Sequence, residues 1–493
     1  MRIVLHSLCL LSLALAGQLW LSGPVEARQG DPPASWSHPE TRPIGQVPSL
    51  DLPAVDRTAE LAADARAMNP GNAPGGAVEK RLRVAVANDV QVSPQRDGTW
   101  ETLADGSRLW RLTVDAPHAT DLRFGFASFR VPGGVTLHVV EDATHVYDGP
   151  YTSRDASPDG QLWLPPVSGE RLTLELHVPA GVALTPEAVR LTAVDAGYRN
   201  VNERDGPGLF GAGQSGLCNI DVICPLGDPY RNEIRAVAKF YFDEPGGTFL
   251  CTGSLVNDTA EDLTPYFLTA NHCISTQAAA TSMSLIWNYQ SPTCGQHGGG
   301  STADSQTGGA TLRAHRTDVD FSLVELNQTP PADYHVYYAG WDATGNVPGG
   351  SIGIHHPRGW VKAITETAHP LTTMNSCIGS GSNTHWRTGA PYSQGTTEGG
   401  SSGSAIFVPA GDTTGHDNLV IGTLSGGSAA CNGSLPNSGY DCYGKLSVAW
   451  NGSSSASRLR DWLDPGATGA TTFQGIDPET AIDRIFASGF DGD

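Results

Sequence analysis

Eight of the nine cysteines fall between residues 218 and 442, and the ninth, Cys9, lies in an apolar leader. Arg2 followed by the mostly apolar run 3–21, with Val25-Glu26-Ala27 as small-residue cleavage positions (Ala14-Leu15-Ala16 being a second option), reads as a signal peptide over 1–27. No later apolar run is long enough to span a membrane, so an exported, extracellular chain is expected. An even cysteine count in an exported chain points to four disulfides. A zinc site is the rival reading, but there is neither a Cys-x-x-Cys pair nor a His-Glu-x-x-His helix, and no metal or cofactor is expected.

At 493 residues the chain exceeds one ordinary domain. Its 51 acidic against 30 basic residues, a formal charge of −21, disfavour nucleic acid as a partner, since phosphate binding needs clustered positive charge. Residues 28–79 are rich in Pro, Ala and Asp and read as a linker with a short helix near 58–68. Over 80–200 the pattern changes. Leu172, Leu174, Leu176 and Val178 alternate with Thr173, Glu175 and His177, and Leu109–Val114, Leu122–Phe129 and Thr136–Val140 read as further strands. A β-sandwich is expected there, either a carbohydrate-binding module or a propeptide domain. Residues 201–212 are a Gly-rich joint. Beyond it, short apolar segments broken by Gly, Ser and Asn imply an all-β unit, closed by one helix over 456–463, with a tail from 468 to 493.

Three segments carry chemistry together. Tyr266-Phe267-Leu268-Thr269-Ala270-Asn271-His272-Cys273 delivers a histidine at the end of an apolar strand. Asp320 opens the strand-like run Phe321–Leu326. Gly399-Gly400-Ser401-Ser402-Gly403-Ser404 surrounds a serine with glycines that permit a tight loop. Alone, each has a plain structural reading: a core histidine, a turn aspartate, a Gly/Ser loop. A Gly-x-Ser-x-Gly elbow fails because position 404 is serine. The order His, Asp, Ser is that of a chymotrypsin-type triad, and the spacings suit two successive barrels.

With these motifs, and with Cys218-Asn219-Ile220-Asp221-Val222, Cys251-Thr252-Gly253-Ser254-Leu255-Val256-Asn257, Trp287-Asn288-Tyr289-Gln290, Ala339-Gly340-Trp341-Asp342, Ile354-His355-His356-Pro357 and Asp461-Trp462-Leu463-Asp464-Pro465, the chain from roughly 213 to 465 resembles the lysyl endopeptidase family of bacterial secreted serine proteases, and a protease domain is expected over 213–467. The resemblance implies an all-β fold, a chymotrypsin-like double β-barrel with a C-terminal helix, preceded by a sandwich acting as propeptide. It makes His272 the general base, Asp320 its orienter and Ser402 the nucleophile, with backbone N–H groups of Gly400 and Ser402 as oxyanion hole. Asp441, in Tyr440-Asp441-Cys442-Tyr443-Gly444-Lys445, becomes the acidic residue of the pocket for the residue before the scissile bond (P1). Leu424 to Gly427, including Ser425, Gly426 and Gly427, becomes the strand edge that binds substrate backbone. It pairs Cys218 with Cys431, Cys224 with Cys294 and Cys251 with Cys273. Cys377 and Cys442 have no counterparts in that pattern, and their pairing, bracing the wall beside Asp441, is a separate expectation.

There are departures. Ser425 stands where the family has a histidine, and the region of the family's tryptophan holds Cys377 instead, so a trypsin-like enzyme accepting arginine as well as lysine is the alternative. A non-catalytic binding protein on a protease scaffold is the reading from another class. Lysine occurs only at positions 80, 239, 362 and 445, which suits an enzyme that must not digest itself. The resemblance puts the mature start near Gly213, yet Ala212 precedes it and Arg204 is the nearest upstream basic residue. Expected partners are protein or peptide substrates and the chain's own propeptide; a monomer is expected.

Overall fold

The computed structural model describes residues 30–67, 77–141, 144–199, 201, 215–375, 377–378 and 381–480. The expected signal peptide, residues 202–212 of the joint, residues 213–214 after it and the end of the tail lie outside them.

The N-terminal unit is a sandwich of two sheets. One is built on β1 (Arg108–Asp115), β3 (Thr136–Glu141) and β4 (Arg171–Val178); the other on β2 (Asp121–Phe129) and β5 (Val189–Gly197). Leu112, Val114, Leu174 and Leu176 meet Phe124, Phe126, Leu191 and Val194 in one core. The alternation read in β4 suggests a wet outer face, but Thr173 and Glu175 are buried too. The reason lies in residues 30–67, which do not hang as a linker. Ser49–Asp51 pairs parallel with β1, Ser35 N–H donates to Glu175 (3.0 Å), and Arg111 donates to the Arg42 carbonyl (2.6 Å). The expected helix is present as Arg57–Ala67, with Leu61 against the sandwich core.

The C-terminal unit is a chymotrypsin-like pair of antiparallel sheets. The first contains β6 (Val237–Glu244), β7 (Gly247–Leu255), β8 (Tyr266–Thr269), β9 (Ala310–Arg316) and β10 (Phe321–Leu326). The second contains β11 (Ser351–His355), β12 (Ala363–Thr367), β13 (His385–Arg387), β14 (Ala405–Phe407), β15 (Val420–Gly427) and β16 (Asp441–Lys445). Aromatic side chains fill the interiors: Phe240, Phe267 and Trp287 in one, Trp341, Phe407 and Trp450 in another. The four disulfides are Cys218–Cys431, Cys224–Cys294, Cys251–Cys273 and Cys377–Cys442. The closing helix is shorter than its periodicity suggests. Ser455–Ser457 is a 3₁₀ turn and only Arg460–Leu463 is α-helical, although Leu459 and Leu463 are buried as the pattern requires. Among the described residues no helix is long and apolar enough to cross a membrane.

Candidate active site

Strand register brings the first two residues together. β8 pairs antiparallel with β10, Thr269 opposite Ser322, so extending the ladder by two residues sets Asp320 against Asn271, next to His272. Cys273, bonded to Cys251 on β7, ties down the backbone beside the histidine. Asp320 turns the chain at φ +51°, a left-handed conformation that aspartate tolerates better than most residues. Its carboxylate accepts from the His272 backbone N–H through Oδ1 (2.9 Å) and contacts Nδ1 through Oδ2 (2.8 Å).

On its other side, His272 Nε2 lies 2.6 Å from Ser402 Oγ. Ser402 sits in the turn leading into β14, and its carbonyl accepts from Thr252 N–H of β7 (2.8 Å). The serine therefore bridges the two sheets, and the site lies at their seam. Its neighbours are excluded as partners of His272. Ser401 Oγ is 2.8 Å from His355 Nδ1, and Ser404 Oγ has no hydrogen-bond partner among the described residues. Burial disfavours the His272 imidazolium, but the charge and hydrogen bond of Asp320 outweigh it, so the pKa is raised above the usual histidine value. His355, buried without such a partner, is pushed down to about 3.

The chain itself occupies the cleft beside these groups. Val78–Glu79 adds to the edge of β15, Val78 opposite Gly427 and Glu79 opposite Gly426. Gly426 must be bare: a Cβ there would lie 2.1 Å from the Val78 carbonyl oxygen. The Lys80 carbonyl accepts from Gly400 N–H, on a glycine with φ +93° that a side chain would strain. The Lys80 side chain runs into a buried pocket. Its Nζ lies 2.5 Å from Asp441 Oδ1, donates to the Ala429 carbonyl (2.8 Å), and also bonds Thr397 Oγ1. Asp441 Oδ2 accepts from Tyr392 (2.8 Å) and Thr397 (2.5 Å), and Asp441 is fully buried. Burial lowers the Lys80 pKa and Asp441 opposes that shift. Downstream, Leu82–Arg83 pairs with β7, Leu82 opposite Leu250.

His272, Asp320, Ser402 and Gly400 are thus brought to one point, with Gly426, Gly427 and Asp441 lining the adjoining cleft. Ser425 is not turned to that cleft: its hydroxyl is 3.1 Å from buried His385 Nε2. Sequence reasoning missed Tyr392, Thr397 and His385. Thr397 was findable, lying beside the Gly/Ser loop; nothing in the spacing signals the other two. The single grouping of three metal-ligating residue types among the described residues, Cys251, His272 and Cys273, is no ligand set, because its two sulfurs are bonded to each other.

Two family models match the chain: "Lysyl endopeptidase N-terminal domain" over residues 52–195 and "Lysyl endopeptidase, C-terminal domain" over 212–444. A lysyl endopeptidase of Pseudomonas aeruginosa is 30% identical over 444 residues, covering 85% of this chain and 90% of that protein. The secreted RxLR effector protein 73 of Plasmopara viticola is 29% identical over 204 residues, covering 39% of this chain and 46% of that one. Among solved structures, the protease Anisep from Arthrobacter nicotinovorans aligns at 14% identity and TM-score 0.31, covering 46% of this chain and 93% of its own. The thermostable serine protease AL20 aligns at 15% identity and TM-score 0.29, covering 43% and 92%.

Proposed function

The chain belongs to the lysyl endopeptidase family and is a serine endopeptidase, and within that class we propose that it is secreted as a precursor and cuts peptide bonds after lysine, using His272, Asp320 and Ser402. One observation carries the reading. A lysine of the chain itself lies in the cleft with its ammonium on Asp441 and its carbonyl on Gly400 N–H, beside a serine bonded to His272.

The chemistry follows from these contacts. A serine hydroxyl is a weak nucleophile until a base takes its proton. His272 Nε2 removes it as Oγ attacks the lysyl carbonyl carbon, and Asp320 holds the proton on Nδ1 and stabilises the imidazolium. The developing oxyanion is met by Gly400 N–H, a donor already aimed at that oxygen, joined by Ser402 N–H. The C–N bond breaks, His272 gives its proton to the leaving amine, and a water repeats the sequence to free the acid.

Lysine is favoured over arginine by reach. Direct contact between Nζ and Asp441, with Thr397 and the Ala429 carbonyl on the remaining protons, leaves no gap to fill. A guanidinium is one heavy atom longer and broader, and would meet Asp441 only by displacing this shell. Ser425, turned to His385, does not enlarge the pocket. Four disulfides fit an oxidising, extracellular destination. The test is labelling by a serine-reactive fluorophosphonate. Ser402 should carry the adduct, and Ser402→Ala should lose both adduct and cleavage of lysyl peptides. An unlabelled Ser402 in folded enzyme with the sandwich removed would reject the reading.

A further inference from the structure

Lys80 is the only lysine ahead of residue 239, and it is the one held by Asp441. Lys239 and Lys362 are buried within the catalytic unit itself, and Lys445 is mostly buried, so none of them is offered to a second molecule. The segment around Lys80 lies in the cleft between two strand pairings, Val78–Glu79 on one side and Leu82–Arg83 on the other. On the acyl side of the Lys80–Arg81 bond, Val78 and Glu79 are zipped to β15. On the amine side, Leu82 and Arg83 are zipped to β7, and Leu82 and Val84 are packed among Tyr241, Leu250, Tyr289 and Trp360. Arg81 itself is gripped by Glu244 (2.9 Å) and by the His272 carbonyl (3.1 Å). A loop that merely covered an active site would need no lysine aimed at the buried carboxylate and no carbonyl on the Gly400 N–H.

We propose that Lys80–Arg81 is a self-cleavage site, the first bond that the precursor's active site holds and cuts, within its own chain. The inference rests on the reading of Ser402 as nucleophile and Asp441 as the lysine-binding carboxylate. Ser402 Oγ adds to the Lys80 carbonyl carbon while His272 takes its proton. The Lys80 C–N bond breaks, the proton passes to the Arg81 nitrogen, and water hydrolyses the acyl-enzyme to a Lys80 carboxylate and free Ser402. Both new ends stay docked. Residues 30–67 are fixed to the sandwich and the Arg81 end is built into the seam between sandwich and protease, so the cut leaves the pieces associated. The cleft remains plugged until the sandwich leaves.

The test follows the termini of the purified full-length chain by mass spectrometry over time, across a hundredfold range of concentration. A fragment beginning at Arg81 should appear at a rate independent of concentration. It should be absent in Ser402→Ala, and formed at least about 100-fold more slowly in Lys80→Gln, which lacks the charge that Asp441 binds. If Lys80→Gln does not fold, a synthetic peptide spanning 76–85 replaces it and should be cut after lysine by the activated enzyme. A rate that rises with concentration, or a wild-type chain that stays intact between Lys80 and Arg81, overturns the proposal. In the latter case an added lysyl peptide and the serine-reactive probe, applied to enzyme freed of the sandwich, separate the two failures. Cleavage or labelling leaves the proposed function standing, and neither rejects it as well.

Discussion

Replacing Asp441 by asparagine removes one charge and little else. The amide keeps the shape of the side chain and an oxygen for Tyr392 and Thr397, which now donate to Oδ2 at 2.8 and 2.5 Å. It puts an amide nitrogen where the ammonium of a bound lysine now finds a carboxylate oxygen at 2.5 Å, with both side chains at most 5% exposed. Leaving a buried charge without its partner costs about 3–5 kcal/mol. At 1.36 kcal/mol per tenfold, kcat/KM for a lysyl amide should fall about 10²–10⁴-fold. The assay compares matched peptide amides with lysine or norleucine at P1, on wild-type and Asp441→Asn enzyme freed of the sandwich. Norleucine has the length of the lysine stem and no charge, so its rate should change little or rise. The rate of labelling by the serine probe checks that the triad is intact. A lysyl rate lowered less than tenfold would refute the ion-pair reasoning. An equal loss on norleucine would mean that the pocket collapses rather than loses its charge.

Three further outcomes follow from the same geometry. Asp320→Asn removes the group that orients and charges His272, and kcat should drop by about 10⁴-fold while the fold, judged by circular dichroism, is unchanged. Because catalysis needs neutral His272 and Asp320 raises its pKa, kcat/KM for a lysyl peptide should rise with pH and level off only above the ordinary histidine value of about 6.5; a plateau already reached well below pH 6 would contradict that. At the seam with the sandwich, burial first and mutual repulsion second hold Asp243 above the usual carboxylate range; burial does the same to Asp195, which also accepts from Thr248 (2.5 Å). Separated, both return to ordinary acidity, so docking takes up protons and weakens as pH rises from about 4 towards the raised values, by at most about tenfold per pH unit for each proton. The isolated sandwich should therefore inhibit the enzyme more tightly at pH 5.5 than at pH 8, as measured by inhibition constants; no difference would remove the two aspartates from the interface energetics.

The juxtaposition of His272, Asp320 and Ser402, the proposed triad, was legible because these residues obey a chain order and each sits at the mouth of an apolar strand, where local pattern and chemistry coincide. The sandwich strands were legible for the same reason. What escaped depends on contacts remote in sequence. The cover formed by residues 30–67 has few apolar anchors, Val47, Leu50 and Val55 among them, interrupted by prolines, so no periodicity marks it as packed. Its effect appears elsewhere, in the burial of Thr173 and Glu175 on a face that alternation assigns to water. Lys80 reads locally as one basic residue before another; its seat is set by Asp441, 361 positions away. The closing helix shows the converse, an amphipathic pattern satisfied by two short turns because Leu459 and Leu463 reach the core without a continuous helix.

The most direct measurement is a complete digest of an unrelated, denatured protein by the activated enzyme, with the C-terminal residue of every fragment identified by mass spectrometry. A lysyl endopeptidase with Asp441 in contact with the P1 ammonium leaves fragments that end in lysine, and Ser402→Ala leaves the protein whole. Fragments ending in arginine as often as lysine, or in no preferred residue, would contradict the pocket described above.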